Sequence, residues 1–124
     1  MSGTDIFIDT NICIYLLNGD ATLAKLLQDQ TIYISVTTEM ELYAYHHNDE
    51  SVTTILNDFI KSVYVINIDE DVKANTIAIR KKHKLKLPDS IIAASAVKVN
   101  APLITDDKGF KKVDQLDLII YQLN

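Results

Sequence analysis

The sequence predicts an α/β fold, a three-layer α/β/α sandwich around a central parallel sheet of four to five strands. Three observations predict it. Short apolar runs alternate with stretches whose apolar residues recur at helical spacing. The strand runs are continuously apolar, as in strands covered on both faces. Acidic residues follow several of these runs, and in such sheets sites form beyond the C-terminal ends of the strands.

The elements follow in order. Residues 5–9 (DIFID) read as a buried strand, and Asn11 to Asn18 place Ile12, Tyr15 and Leu16 at helical spacing. Asn18-Gly19-Asp20 is a turn with Gly19 suited to a helix C-cap, and Asp20 can cap a second helix through Gln28 with Leu23, Leu26 and Leu27 inward. Ile32 to Ser35 is a second strand, and Val36 to His46 a helix with Met40, Tyr43 and Ala44 on one side. Ser51 can cap a helix whose apolar positions are Ile55, Leu56, Phe59 and Ile60. Val63 to Ile66 is a third strand, and Asp69 starts a helix carrying Val72, Thr76 and Ile79. Leu87-Pro88-Asp89 breaks this pattern and restarts it as a largely apolar, buried helix over 89–99. Leu103 to Thr105 and Leu118 to Ile120 are the last strands. No repeat, low-complexity tract or linker interrupts the series.

A chain of 124 residues, 48% hydrophobic with few Gly and Pro, has the size of one domain with one core. It shows neither a membrane-length apolar run nor a secretory signal at its start. Cys13 stands alone and cannot form an internal disulfide; a small core residue in a reducing cytoplasm is expected. The net charge of −5 is unevenly spread: residues 1–79 hold 12 acids and 3 bases, residues 80–124 hold 5 acids and 9 bases. The densest basic run is Arg80-Lys81-Lys82-His83-Lys84-Leu85-Lys86. It can be a solvated helix end or a patch that follows phosphates.

Asp9 ends the first strand, Glu41 lies in the helix after the second, Asp89 opens the buried helix, and Asp106-Asp107 follow the fourth strand. Each has an ordinary structural explanation. Asp9, Asn11 and Asp89 can cap helices, Asp107 can be a turn residue, and Glu41 a solvated one. Taken together, carboxylates gathered at one sheet edge repel one another and need a cation. An all-oxygen set suits Mg²⁺ or Mn²⁺. One Cys with His46, His47 and His83 makes no zinc pattern, and His46-His47 read as the wet end of a helix. No G-x-S-x-G, Walker A loop or G-x-G-x-x-G is present. Acids with Mg²⁺ point to phosphodiester hydrolysis.

With IFIDTNICIYLL, ISVTTEMELYAY and LKLPDSIIAASAVKVNAPLITDDKGFKKV in this order, the chain resembles the PIN-domain ribonucleases, of the kind found as VapC toxins of toxin–antitoxin pairs. The resemblance implies a single PIN-like nuclease domain over 1–124. It implies that Asp9 and Asp89 are the principal metal ligands, that Asp107 and Glu41 complete the set, and that Asn11 and Thr105 orient carboxylates or waters. Asp106 stands beside Asp107, and either can be the fourth acid; spacing to Phe110 favours Asp107. Glu39 and Glu41 lie about 200° apart on a helix, so one of them faces the cleft. Glu41-Leu42 resembles the family better. Ser90 stands where many relatives have Ala.

The implied activity is RNA cleavage by metal-activated water, leaving a 3′-hydroxyl and a 5′-phosphate. Lys81, Lys82, Lys84, Lys86, Lys108 and Lys111 are the expected contacts to the RNA backbone. Implied partners are a second copy of the chain and a small antitoxin, for which Tyr15, Leu16, Leu23 and Leu27 can form an apolar groove or be core. Competing readings are an RNA-processing PIN nuclease without antitoxin, a haloacid-dehalogenase-like phosphatase, a non-catalytic RNA- or protein-binding module and a response-regulator-like receiver. The phosphatase normally carries a second Asp where this chain has Asn11, and the receiver an acidic pair where this chain has Asp9-Thr10-Asn11.

Overall fold

The computed structural model describes residues 4–45 and 49–122. Among them are strands β1 (Asp5–Ile8), β2 (Thr31–Ser35), β3 (Tyr64–Ile66), β4 (Leu103–Thr105) and β5 (Leu118–Ile120). The helices are α1 (Thr10–Leu17), α2 (Ala21–Leu27), α3 (Val36–Tyr45), α4 (Glu50–Ser62), α5 (Glu70–Lys82) and α6 (Leu87–Val99), with a 3-10 helix over Lys108–Lys112. The five strands form one sheet in the order β3-β2-β1-β4-β5, every pair parallel. The three-layer α/β/α fold expected from the sequence is therefore the fold observed.

Side-chain alternation along the strands builds two cores, one on each face. Phe7 and Leu103 point into a layer with Val72 and Ile79 of α5, Ile92, Ala93 and Ala96 of α6, and Phe110 of the 3-10 helix. Ile6, Ile8 and Ile104 point the other way, onto Ile12 and Cys13 of α1, Leu23 and Leu27 of α2, Leu42 of α3 and Leu56 of α4. Cys13 is buried and free, as expected. The strand order reverses between β1 and β4, since β2 and β3 continue to one side and β5 lies on the other. Such a switch opens a crevice at the strands' C-terminal ends, and Asp9 and Asp106 lie there.

Local chemistry explains most element boundaries. Asp9, Asp20 and Asp69 cap α1, α2 and α5 by accepting from the backbone N–H three residues on. Gly19 has φ of +93°, a left-handed turn that ends α1.

The observed helices correct the sequence reading at four places. First, α4 is capped by Asp49 rather than by Ser51, whose N–H and hydroxyl both donate to Asp49 Oδ1. Second, α3 turns Thr38 and Leu42 inward and leaves Met40, Tyr43 and Ala44 exposed. A threonine can take a buried position there because its hydroxyl meets that of Thr10 at 3.0 Å. Third, Ile55 of α4 is also exposed, as is Leu26 of α2. Fourth, α6 starts at Leu87, with Pro88 in its first turn, where a missing N–H costs nothing. Asp89 thus lies inside the helix and is not its cap. His46-His47 lie outside the described residues.

The four apolar residues of the expected groove divide. Leu23 and Leu27 are core, while Tyr15 and Leu16 are half-buried. Leu23 is fully buried, so Leu23→Ala is expected to cost about 3 kcal/mol of stability, read from urea denaturation. A change below about 0.5 kcal/mol, the value for a surface site, contradicts this placement.

Candidate active site

Asp9 follows β1 directly and is 5% exposed. Its Oδ1 accepts from Ile12 N at 3.0 Å, and its Oδ2 accepts from the hydroxyl of Thr105. Burial pushes its carboxyl up to about 6, against the pull of those two hydrogen bonds, and the negative charges of Asp106 and Asp89 add to the rise. Capping occupies one oxygen of Asp9 and leaves its charge facing the other acids.

Thr105 ends β4 and is fully buried. Its hydroxyl donates to Asp9 and accepts from Asp107 N at 3.0 Å, so a single oxygen links both acidic segments. Asp106 is half-buried and accepts from the hydroxyl of Tyr15 and from Asn11 Nδ2 at 3.4 Å. Asp107 is exposed and caps the 3-10 helix, its Oδ1 accepting from Gly109 N at 2.8 Å. A Cβ at position 109 would stand 3.0 Å from that same oxygen, so glycine leaves the carboxylate room to fold back.

Asp89 sits in the first turn of α6, half-buried. Its carboxyl is raised first by burial, then by Asp107 and Glu41, and Lys86 pulls it down. Among the described residues its carboxylate accepts no hydrogen bond, which leaves both oxygens available. Glu41 is exposed, and its Oε1 accepts from Thr10 Oγ1 at 2.6 Å. The single hydroxyl proton of Thr10 goes to Glu41, so Thr38 donates to Thr10. Glu39, two residues earlier, takes no part in this chain of hydrogen bonds.

The acids thus meet as two overlapping groups, Asp9 with Asp106 and Asp89, and Asp89 with Asp107 and Glu41. They act on one another through their fields. Among the described residues no three Asp, Glu, His or Cys side chains stand close enough to hold a metal ion between them. The donors themselves are all carboxylate oxygens, the set that a hard divalent cation takes, and a cation placed among them offsets both the burial that chiefly raises Asp9 and Asp89 and the repulsion that adds to it. By donor chemistry the residues fit such an ion.

The six candidate lysines are all exposed. Lys81 and Lys82 end α5, Lys84 and Lys86 lie in the α5–α6 connection, and Lys108 and Lys111 belong to the 3-10 helix. The cavity of about 490 Å³ beside Asn18, Gly19 and Tyr121 lies off the acidic crevice; Tyr15 lines it and sends its hydroxyl to Asp106. Thr10, Tyr15 and Gly109 escaped the sequence reading as supports of the acids. Only Thr10 had a signal there, its place between Asp9 and Asn11 at a strand end.

The family profile of the PIN domain matches residues 6–116. No curated protein sequence matches the chain. Among solved structures, VapBC2 from Rickettsia felis bound to a DNA fragment from its promoter is similar, at 25% identity and a TM-score of 0.80, over 95% of this chain and 99% of that one. A toxin–antitoxin complex from Klebsiella pneumoniae shares 29% identity at a TM-score of 0.75, over the same 95% and 99%. The fold alone is shared with VapC20 of Mycobacterium tuberculosis, a sarcin–ricin loop cleaving toxin, at 18% identity and a TM-score of 0.66, over 90% of this chain and 97% of that one. With its parallel sheet, its acids at the β1/β4 switch and a profile match over most of its length, the chain belongs to the PIN-domain family.

Proposed function

We propose that the chain is a Mg²⁺- or Mn²⁺-dependent endoribonuclease, the toxin of a toxin–antitoxin pair, with residues 1–124 acting as one nuclease domain. The observation that carries the reading is that Asp89 stands within electrostatic reach of Asp9 on one side and of Asp107 and Glu41 on the other, so acids from four separate segments gather at one end of the sheet. Asp9 and Asp89 are the principal ligands in this reading, and Asp107 and Glu41 complete the set. A divalent cation held by Asp9 and Asp89, with Asp107 and Glu41, would supply positive charge for a phosphoryl oxygen and would bring the ionisation of water near neutral pH. The chain's own residues do the positioning. Thr105 holds Asp9 by its Oδ2, Asn11 and Tyr15 hold Asp106, and Thr10 turns Glu41 toward the crevice. A carboxylate then takes a proton from the attacking water as its oxygen bonds to phosphorus, the P–O3′ bond breaks, and the departing 3′-oxygen takes a proton from solvent, leaving a 3′-hydroxyl and a 5′-phosphate.

The toxin assignment draws on the structural neighbours, which are themselves toxin–antitoxin complexes. An antitoxin, a second copy of the chain and a cytoplasmic setting belong to the same reading. Among the described residues no helix is long and apolar enough to cross a membrane.

The purified chain is expected to cut single-stranded RNA with Mg²⁺ or Mn²⁺, to stop in EDTA, and to leave p-nitrophenyl phosphate intact. Turnover of p-nitrophenyl phosphate with RNA untouched favours the phosphatase, and metal binding with no RNA cleaved favours the non-catalytic module.

A further inference from the structure

The bases of the chain are sorted by position. Only Lys25, Lys61 and Lys73 precede Arg80. Lys25 and Lys61 lie in the last turns of α2 and α4, which lead into the starts of β2 and β3, at the edge of the sheet away from the acids. Lys73 pairs with Glu70 in the first turn of α5. That turn is tied to the far end of α6 by the ion pairs of Lys98 with Asp69 and Asp71. The same ties make α5 and α6 antiparallel, so the end of α5 and the start of α6 lie together, beside Asp89.

The remaining eight bases fall in two segments, 80–86 and 108–112. These segments touch, since Lys112 Nζ donates to the carbonyl of Lys84 at 3.4 Å. Phe110 and Val113 pack into the α5–α6 core, so the 3-10 helix belongs to that layer. Among the described residues none of the eight forms an ion pair with a carboxylate. Lys86 stands near enough to Asp89 to influence its ionisation. The α1–α4 layer presents Asn11, Tyr15 and Glu41 at the same crevice and, among the described residues, no Lys or Arg.

We propose that this chain grips single-stranded RNA on one side of the crevice only, through a continuous surface of Arg80, Lys81, Lys82, Lys84 and Lys86 with Lys108, Lys111 and Lys112. The proposal rests on the ribonuclease reading and adds its direction: phosphates on the α5–α6 side are held, and those over α1–α4 meet no Lys or Arg among the described residues. Eight unpaired cations in two touching segments repel one another, and a string of phosphates relieves that repulsion. A protein partner normally requires an apolar anchor. Leu85 is half-buried and Phe110 buried, and the exposed apolar side chain beside these segments is Leu87, a single one against eight cations.

The test uses the full chain in EDTA with a fluorescein-labelled 14-nucleotide single-stranded RNA of mixed sequence, its binding followed by anisotropy across a KCl series. Each phosphate contact to a single strand adds about 0.7 to the slope of log affinity against log salt. A variant with Lys82, Lys84 and Lys111 changed to Ala is expected to lose about 2 from that slope. A variant with Lys25, Lys61 and Lys73 changed to Ala is expected to keep the wild-type slope. Thermal melts check that both remain folded, and the single reversal Lys82→Glu supplies the same comparison with one exposed side chain. Equal slopes in all proteins, equal losses in both triple variants, or no RNA binding by the wild type overturns the proposal. Tighter binding of an equally charged poly-glutamate peptide than of the RNA, at the same KCl concentration, also overturns it, in favour of a protein ligand. The ribonuclease reading is judged separately by cleavage in Mg²⁺, which can persist when the one-sided grip fails.

Discussion

Asp9→Asn and Asp89→Asn are each expected to lower RNA cleavage at least about a hundredfold, because even a partner that only orients a metal ligand contributes about 10- to 100-fold. The fold is expected to survive. Asn keeps nearly the shape of Asp, and at position 9 its carbonyl oxygen can still accept from Ile12 N, the bond that caps α1. At position 89 no hydrogen bond to the carboxylate is lost among the described residues. Cleavage rates of the two variants, read beside their circular dichroism spectra, separate lost chemistry from lost structure. Wild-type cleavage by Asp9→Asn removes Asp9 from the mechanism.

The second large effect runs against the usual expectation that a substitution in a buried site destabilises. The Asp9 carboxyl is raised from 3.8 to about 6 in the folded chain, chiefly by burial. Between those two values the folded protein holds a proton that the unfolded chain has released. Stability of the metal-free protein therefore falls as pH rises through this window, and above about pH 6 the full penalty is present. The difference corresponds to about 3 kcal/mol at 1.36 kcal/mol per pH unit. Asp89, also raised by burial and by its acidic neighbours, tilts the same way. In EDTA at pH 8, Asp9→Asn is expected to stabilise the chain by about 1–3 kcal/mol, the lower figure allowing for a weakened bond to Thr105. At pH 4 the gain is expected to vanish. Urea denaturation at the two pH values checks the sign, and a loss of stability at pH 8 contradicts the cost assigned to the buried Asp9 charge.

Legibility in the sequence followed the strength of the local signal. The five strands were readable because each is a short, continuous apolar run, and parallel pairing follows from such runs when helices separate them. Helix faces were less readable where polar residues are buried. Thr38 looks like a surface residue until Thr10, 28 positions away, supplies a partner for its hydroxyl. The reverse error, at Met40 and Ile55, came from treating apolar character as burial, although folded surfaces retain much apolar area. The start of α6 was misplaced because Asp after Pro mimics a cap, whereas the proline itself occupies the first turn.

For the candidate site, the positions of the acids at strand and helix ends were readable, and their neighbours were not. Asp106 and Asp107 are adjacent in sequence and face different partners, Tyr15 and Asn11 for the first, Gly109 and the field of Asp89 for the second. Only the folded arrangement assigns those partners. The sorting of the cations near the crevice onto one layer was likewise half-visible. The change from an acidic to a basic stretch at residue 80 is plain, but its placement against Asp89 depends on α5 and α6 running antiparallel.

The central claim is that carboxylates from four separate segments act as one cation site. Titration of Mn²⁺ followed by electron paramagnetic resonance, at pH 7.5 on the wild type and on Asp9→Asn, Asp89→Asn and Asp107→Asn, tests it most directly. The expected result is that the wild type takes up Mn²⁺ and that each substitution weakens binding about tenfold or more. Identical Mn²⁺ affinity in all four proteins, or none in the wild type, contradicts the claim.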